Sequence, residues 1–135
     1  MKEIVLEALR TLGFIPEALE SSGYRFEFER INILYLPDPQ DPNFLLLTIP
    51  NIYEADDEHF TAGLLISERI NSSLKYVKAY FYKESIWLFY EHELTGQEDM
   101  EALLRSMIYQ LCQAYTFAQK AIEDYEQMKA EYQEE

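Results

Sequence analysis

Apolar residues recur at helical spacing over the first dozen positions: Ile4, Val5, Ala8, Leu9 and Leu12, with Glu3, Glu7 and Arg10 between them. The pattern predicts a short amphipathic helix that lays one stripe on a core. Gly13 follows where helices commonly stop in a left-handed residue. Pro16 heads residues 17–20, read as a further turn, and Ser21-Ser22-Gly23 breaks the pattern. The period then becomes two. Tyr24, Phe26 and Phe28 alternate with Arg25, Glu27 and Glu29 as in a half-buried strand. Residues 31–36 read as a second strand. No Asn-Gly or Asp-Gly marks the intervening turn, so its type stays open. Three prolines in residues 37–42 stop the ladder. The apolar run 44–49 is short enough to be a central strand, with Pro50 closing it.

A second helix is predicted over residues 58–74, with Asp56 or Asp57 as cap and Phe60, Leu64, Ile66, Ile70 and Leu74 as its apolar face. Two strands follow, antiparallel because their connection at 83–85 is short. In the first, Val77, Ala79 and Phe81 point one way and Tyr76, Lys78, Tyr80 and Tyr82 the other. The second, 86–93, carries Trp87, Leu88, Phe89 and Tyr90. Thr95-Gly96-Gln97-Glu98 has the capping-box form, with Thr95 as cap and Glu98 reaching back. From there Met100, Leu103, Leu104, Met107, Ile108, Leu111, Tyr115, Ala118, Ile122, Tyr125 and Met128 mark one helical face with no interrupting Gly or Pro. The fold class is therefore α+β: helix-βββ-helix-ββ-helix, an antiparallel sheet of about five strands with packed helices. At ~1.5 Å per residue the last helix reaches on the order of 50 Å, so its end should overhang a domain of this size. Residues 123–135, with six acids and one lysine, suit a solvated helix end.

Composition narrows the function classes. The 135 residues suit a single domain spanning 1–135. The chain holds 25 acids against 11 bases, a net charge of −14 that repels phosphate backbones and anionic lipid. Neither nucleic acid nor a membrane surface is therefore expected as a partner. A single cysteine, Cys112, rules out an internal disulfide framework and a Cys-based zinc cluster. No run approaches a membrane span, and the N-terminal residues lack the basic-then-apolar form of a signal peptide, so a cytoplasmic location is expected.

The segment ISERINSSLKYVK, residues 66–78, together with the element order and the long last helix, resembles the YbjN family of small bacterial proteins. That family is related in fold to type III secretion chaperones. Asn71 matches the second Asn of the family's Asn-rich helix end, and Lys78 its strand lysine. Ser67 stands where the first Asn is common, which departs from the pattern. Gly13-Phe14 adds weaker support. The resemblance implies a binding or chaperone-like domain, often self-associating, with no catalytic residues to carry over and with Asn71 and Lys78 as architectural residues.

Candidate chemistry is sparse. Glu54, Asp56, Asp57, Glu58 and His59 lack the alternate oxygens and central Gly of a calcium loop, and a helix N-terminus explains them more simply. His59 and His92 make no metal motif. No Gly-x-Ser-x-Gly elbow surrounds any serine, and Cys112 falls mid-helix beside Leu111. The glycines at 13, 23, 63 and 96 form no phosphate loop. No catalytic residue, metal or cofactor is expected. An enzyme with an unrecognised carboxylate-centred site and a purely structural dimer subunit stay as alternatives.

Aromatics are more telling, with 11 Tyr, 8 Phe and 1 Trp. Either one sheet face is core and the other is covered by a helix, or an aromatic face stays open to receive a protein segment. On the second reading Tyr76, Lys78, Tyr80, Tyr82 and Trp87 contact a partner. Tyr125 and Met128 on the last helix, with Phe117 and Tyr132, extend beyond what one small sheet can cover, so a homodimer is expected.

Overall fold

The computed structural model describes the backbone of residues 1–134 and the side chains of residues 1–131. In chain order the elements are α1 (Lys2–Thr11), β1 (Glu17–Ala18), β2 (Tyr24–Phe28), β3 (Ile31–Tyr35), β4 (Phe44–Glu54), α2 (Phe60–Ser73), β5 (Val77–Tyr82), β6 (Ser85–Glu93) and α3 (Met100–Glu134). The strands form one antiparallel sheet in the order β1-β2-β3-β4-β6-β5. Two-residue turns join β2 to β3 and β5 to β6, the proline-rich segment 36–43 joins β3 to β4, and α2 carries the chain across to place β5 outside β6.

Residues paired across a ladder share a face. One face therefore gathers Phe26, Ile33, Leu45, Leu47, Ile49, Val77, Ala79, Ile86, Leu88 and Tyr90. These pack with Val5 and Leu9 of α1, Ile66 and Ile70 of α2, and Leu104, Met107, Leu111, Ala114 and Ala118 of α3. All three helices thus lie on one side of the sheet. Small residues along α3 (Ala114, Ala118 and Ala121, all buried) let its backbone approach closely. Arg69 of α2 clasps Asp124 of α3 at 3.1 Å, and Lys120 reaches the same carboxylate at 3.0 Å. Both cations hold the Asp124 carboxyl below its ordinary range, Lys120 contributing most. Among the described side chains the last buried position of α3 is Ile122, and residues 126–131 are exposed, so the helix projects beyond the sheet as its length requires. Tyr132 and the last acids of the 123–135 segment lie outside the described side chains.

The structure corrects four boundaries. There are six strands: Glu17–Ala18 is not a helical turn but a short edge strand paired with Arg25 and Tyr24. Pro50 does not close β4. The strand passes it through a register shift between Ile49 and Tyr53, with Asn51 at φ 53°. A proline lacking its N–H is tolerated at such a bulge. Helix α2 starts at Phe60, two residues late. Asp56 Oδ1 instead accepts from the His59 N–H at 3.0 Å and lies 2.7 Å from His59 Nδ1, closing the turn before the helix. Those contacts hold its carboxyl below the ordinary range. Both hairpins turn on two non-glycine residues with positive φ, Glu29-Arg30 (49° and 70°) and Lys83-Glu84 (52° and 64°), the signature of a type I′ turn.

The fourth correction concerns α3. Glu98 does reach back, accepting from the Thr95 N–H at 2.7 Å and the Gly96 N–H at 3.0 Å. The helix nevertheless begins at Met100, and its cap is Asp99, whose Oδ1 accepts from the Ala102 N–H at 3.2 Å. Asp99→Ala is therefore expected to cost ~1 kcal/mol, with a smaller loss for Thr95→Ala, in a denaturant titration. The Thr95 N–H first, then the backbone N–H of Glu98 itself and that of Gly96, hold the Glu98 carboxyl down to about 2. A depressed carboxyl stabilises the fold above its unfolded value of roughly 4.3 and loses that contribution as pH falls through the folded one. The segment before α3 is thus expected to loosen between about pH 4.3 and 2. Following the Thr95 and Gly96 amide resonances through an acid titration checks this, and Glu98→Gln should abolish that step.

Candidate functional site

Among the described residues the opposite face of the sheet carries no helix. Here β5 and β6 set Lys78, Tyr80 and Tyr82 beside Phe89, Trp87 and Ser85 in register. Phe89 is only 4% exposed, yet it belongs to no part of the core cluster. Other aromatics bury it: Tyr80 stacks on it with ring centroids 4.1 Å apart and planes at 9°, and Trp87 flanks it at 6.2 Å. Tyr82 meets Trp87 edge-on at 4.7 Å. Tyr80 and Tyr82 remain 41% and 43% exposed. The half-buried Phe44, Leu46 and Leu34 continue the face across β4 and β3.

Polar contacts hold the row in place. The Trp87 Nε1–H donates to Ser85 Oγ at 2.9 Å, and the Ser85 hydroxyl donates to Asn51 Oδ1 at 2.7 Å. The bulge of β4 thereby fixes the indole. Lys78 Nζ sits 2.9 Å from Glu91 Oε1 and 5.7 Å from the Tyr80 ring centroid, and Lys83 Nζ lies 5.3 Å from that of Tyr82. Burial pushes the Tyr80 hydroxyl up, with Lys78 opposing, so both hydroxyl and ring meet a partner uncharged near neutral pH. The arrangement offers a rigid apolar floor with amphipathic edges, which suits protein contacts.

The structure separates the residues that sequence reasoning grouped. Lys78, Tyr80, Tyr82 and Trp87 meet on the open face. Tyr76 does not: at φ 68° its ring swings to the helix side and stacks on Tyr90 at 6.1 Å. Tyr125 and Met128 lie on that side too, with Leu65, Ile66, Arg69 and Ala121, in a shallow groove between α2 and the end of α3. Leu65 is exposed, and so are Phe60 and Leu64 on α2, although the helical pattern assigns Phe60 and Leu64 inward. Asn71 and Lys78 are on different elements. Asn71 binds the β5 backbone, its Nδ2–H donating to Ala79 O at 2.9 Å and its Oδ1 accepting from the Ala79 N–H at 2.7 Å. Ser67, one turn earlier, is buried with no partner for its hydroxyl.

A cleft of about 440 Å³ opens at the β1–β3 end, between Tyr24, Tyr35, Asp38, Asp41 and the N-terminal residues. Asp38 Oδ1 there accepts from the Gln40 N–H at 2.9 Å. Burial pushes the Cys112 thiol up to about 11, which makes it a poor nucleophile near neutral pH. Among the described residues no group of three or more His, Cys, Asp or Glu could hold a metal ion, and no helix is long and apolar enough to cross a membrane.

No family model matches the chain, and no curated protein matches it by sequence. Solved structures do match. YbjN from E. coli, whose crystal structure is described as that of a candidate transcription regulator, aligns with a TM-score of 0.67 at 12% identity, covering 89% of this chain and 92% of that one. A chain of the ExsC-ExsE complex aligns with a TM-score of 0.50 at 12% identity, covering 87% and 90%. The fold is YbjN-like and related to that of the ExsC-ExsE complex, in agreement with the resemblance read from residues 66–78 and the element order.

Proposed function

We propose that residues 1–135 form one non-enzymatic, chaperone-like binding module that takes up a protein partner on the open sheet face. The observation that carries this reading is Phe89, buried outside the core under exposed Tyr80 and beside Trp87 on a face without helices. Such a patch is costly to leave bare and gains by being covered. One structure of similar fold is itself a complex of two proteins, ExsC and ExsE, which supports a protein partner.

The long helix contributes a second surface. Met128, 58% exposed, and Tyr125 border the groove beside Leu65 on α2. We read this side as the homodimer contact, which leaves the sheet face free for the partner. Light scattering at micromolar concentration is expected to report twice 16.0 kDa, and Leu65→Glu with Met128→Glu is expected to return it to 16.0 kDa. A clean monomer of the parent chain removes this contact from the account.

The test of the main reading is purification of the tagged chain from its native cells, with the co-purifying protein identified by mass. Its capture should persist in the Leu65/Met128 variant and be lost when Tyr80 and Trp87 are both replaced by Ala. A partner that stays bound to the Tyr80/Trp87 variant places binding elsewhere.

A further inference from the structure

Among the described residues β5 lies at the end of the sheet, with no strand beyond it. Its sequence, VKAYFY, combines β-branched and aromatic residues with one charge and no Gly or Pro. An exposed edge strand of that composition is a template for pairing with another chain. The opposite edge is blunted by brevity, since β1 spans only two residues. β5 is six residues long and needs another guard.

Asn71 supplies it. The carboxamide of Asn presents an N–H donor and a C=O acceptor on the same side, as the N–H and C=O of one extended strand residue do. Here both are used on one residue, with Ala79 O and the Ala79 N–H bound at 2.9 Å and 2.7 Å. Ala79 pairs with Leu88 on the β6 side, so these two groups point outward, where a seventh strand would bind. At the start of the strand the Val77 N–H is turned back onto Lys75 O at 2.8 Å, across Tyr76 at positive φ. Further along, Gly63 allows α2 to close on Phe81, for a Cβ at Gly63 would stand 2.7 Å from the Phe81 ring. The helix thus comes near enough for a short side chain to reach the strand.

We infer that Asn71 closes the β5 edge by standing in for a residue of a seventh strand, and that its loss exposes a surface whose occupant is β5 of a second copy. The pairing would be antiparallel about a two-fold axis at Ala79, which sets Val77 opposite Phe81 and Lys78 opposite Tyr80 of the other copy. One consequence for recognition is that a partner of this module meets the side chains of the open face and finds the Ala79 backbone at the edge already bound. The inference rests on the β5 edge alone, so it can fail while the sheet-face reading stands, and the reverse.

The experiment compares the full-length parent, Asn71→Ala and Asn71→Asp by sedimentation velocity over a concentration series, with amide exchange read at Ala79 by NMR. In the parent the Ala79 N–H should exchange slowly at every concentration. In dilute Asn71→Ala it should exchange roughly tenfold faster or more, because one backbone hydrogen bond is lost. At high concentration it should slow again as one association step beyond the parent's state appears. Asn71→Asp keeps the acceptor for the Ala79 N–H but puts a carboxylate at the edge, so that amide should stay slow and no extra association should occur. Asn71→Ser, too short to span both groups, repeats the alanine test and must give the same result. The inference is overturned if the alanine and serine variants keep the parent's size distribution throughout. It is equally overturned if their Ala79 N–H stays slow when dilute, or if Asn71→Asp associates as the alanine variant does.

Discussion

Leu88→Ala is expected to lower the folding free energy by about 2–5 kcal/mol and the melting temperature by on the order of 10 °C. Leu88 is fully buried, pairs with Ile49 on one side and Ala79 on the other, and faces the helix layer. Truncation leaves a cavity that a sheet ladder on both sides cannot close by relaxing. Thermal unfolding followed by circular dichroism checks it. A loss under about 1 kcal/mol would mean that this face of β6 is not the packed one.

Trp87, the preceding residue on the strand, is expected to behave in the opposite way. Trp87→Ala removes half-buried ring contacts with Phe89 and Tyr82 and should cost only about 1–2 kcal/mol of stability. Combined with Tyr80→Ala it should weaken the partner's Kd by roughly 30-fold or more, since paired aromatic anchors at an interface centre carry about 2 kcal/mol or more. Titration calorimetry with the purified partner reads this directly. Two consecutive residues on one strand would then report different properties, because the pleat turns them to opposite faces of the sheet.

The two-residue period of 24–29 and 76–82 made the strands and their two faces legible, and the apolar stripe of residues 100–128 revealed the long helix. Where the expectation failed, a local rule gave way to a longer-range partner. Pro50 reads as a strand end, but β6 continues to pair with β4 beyond it through a bulge. Residues 17–20 have no strand pattern of their own, and Arg25 and Tyr24 recruit two of them. Thr95 and Asp99 are both credible caps, and only the position of α3 against the core selects Asp99. The open face was half legible. The alternation grouped Lys78, Tyr80 and Tyr82, but nothing in sequence says on which side the helices fall. Tyr76 left the group because its positive φ breaks the alternation that placed it there. The motif residue Asn71 carried a clear signal of position and none of its bond to Ala79, which lies eight residues on and depends on β5 being an edge.

Trp87 is the one tryptophan in the chain and lies within the proposed face, which makes it a reporter of the central claim. With the chain labelled by 5-fluorotryptophan and the partner unlabelled, the fluorine spectrum contains a single resonance from this site. Docking on the open sheet face predicts that this resonance shifts and broadens as the partner is added, saturating with the binding stoichiometry. A partner that binds at the same stoichiometry while the Trp87 resonance stays in place would contradict the account.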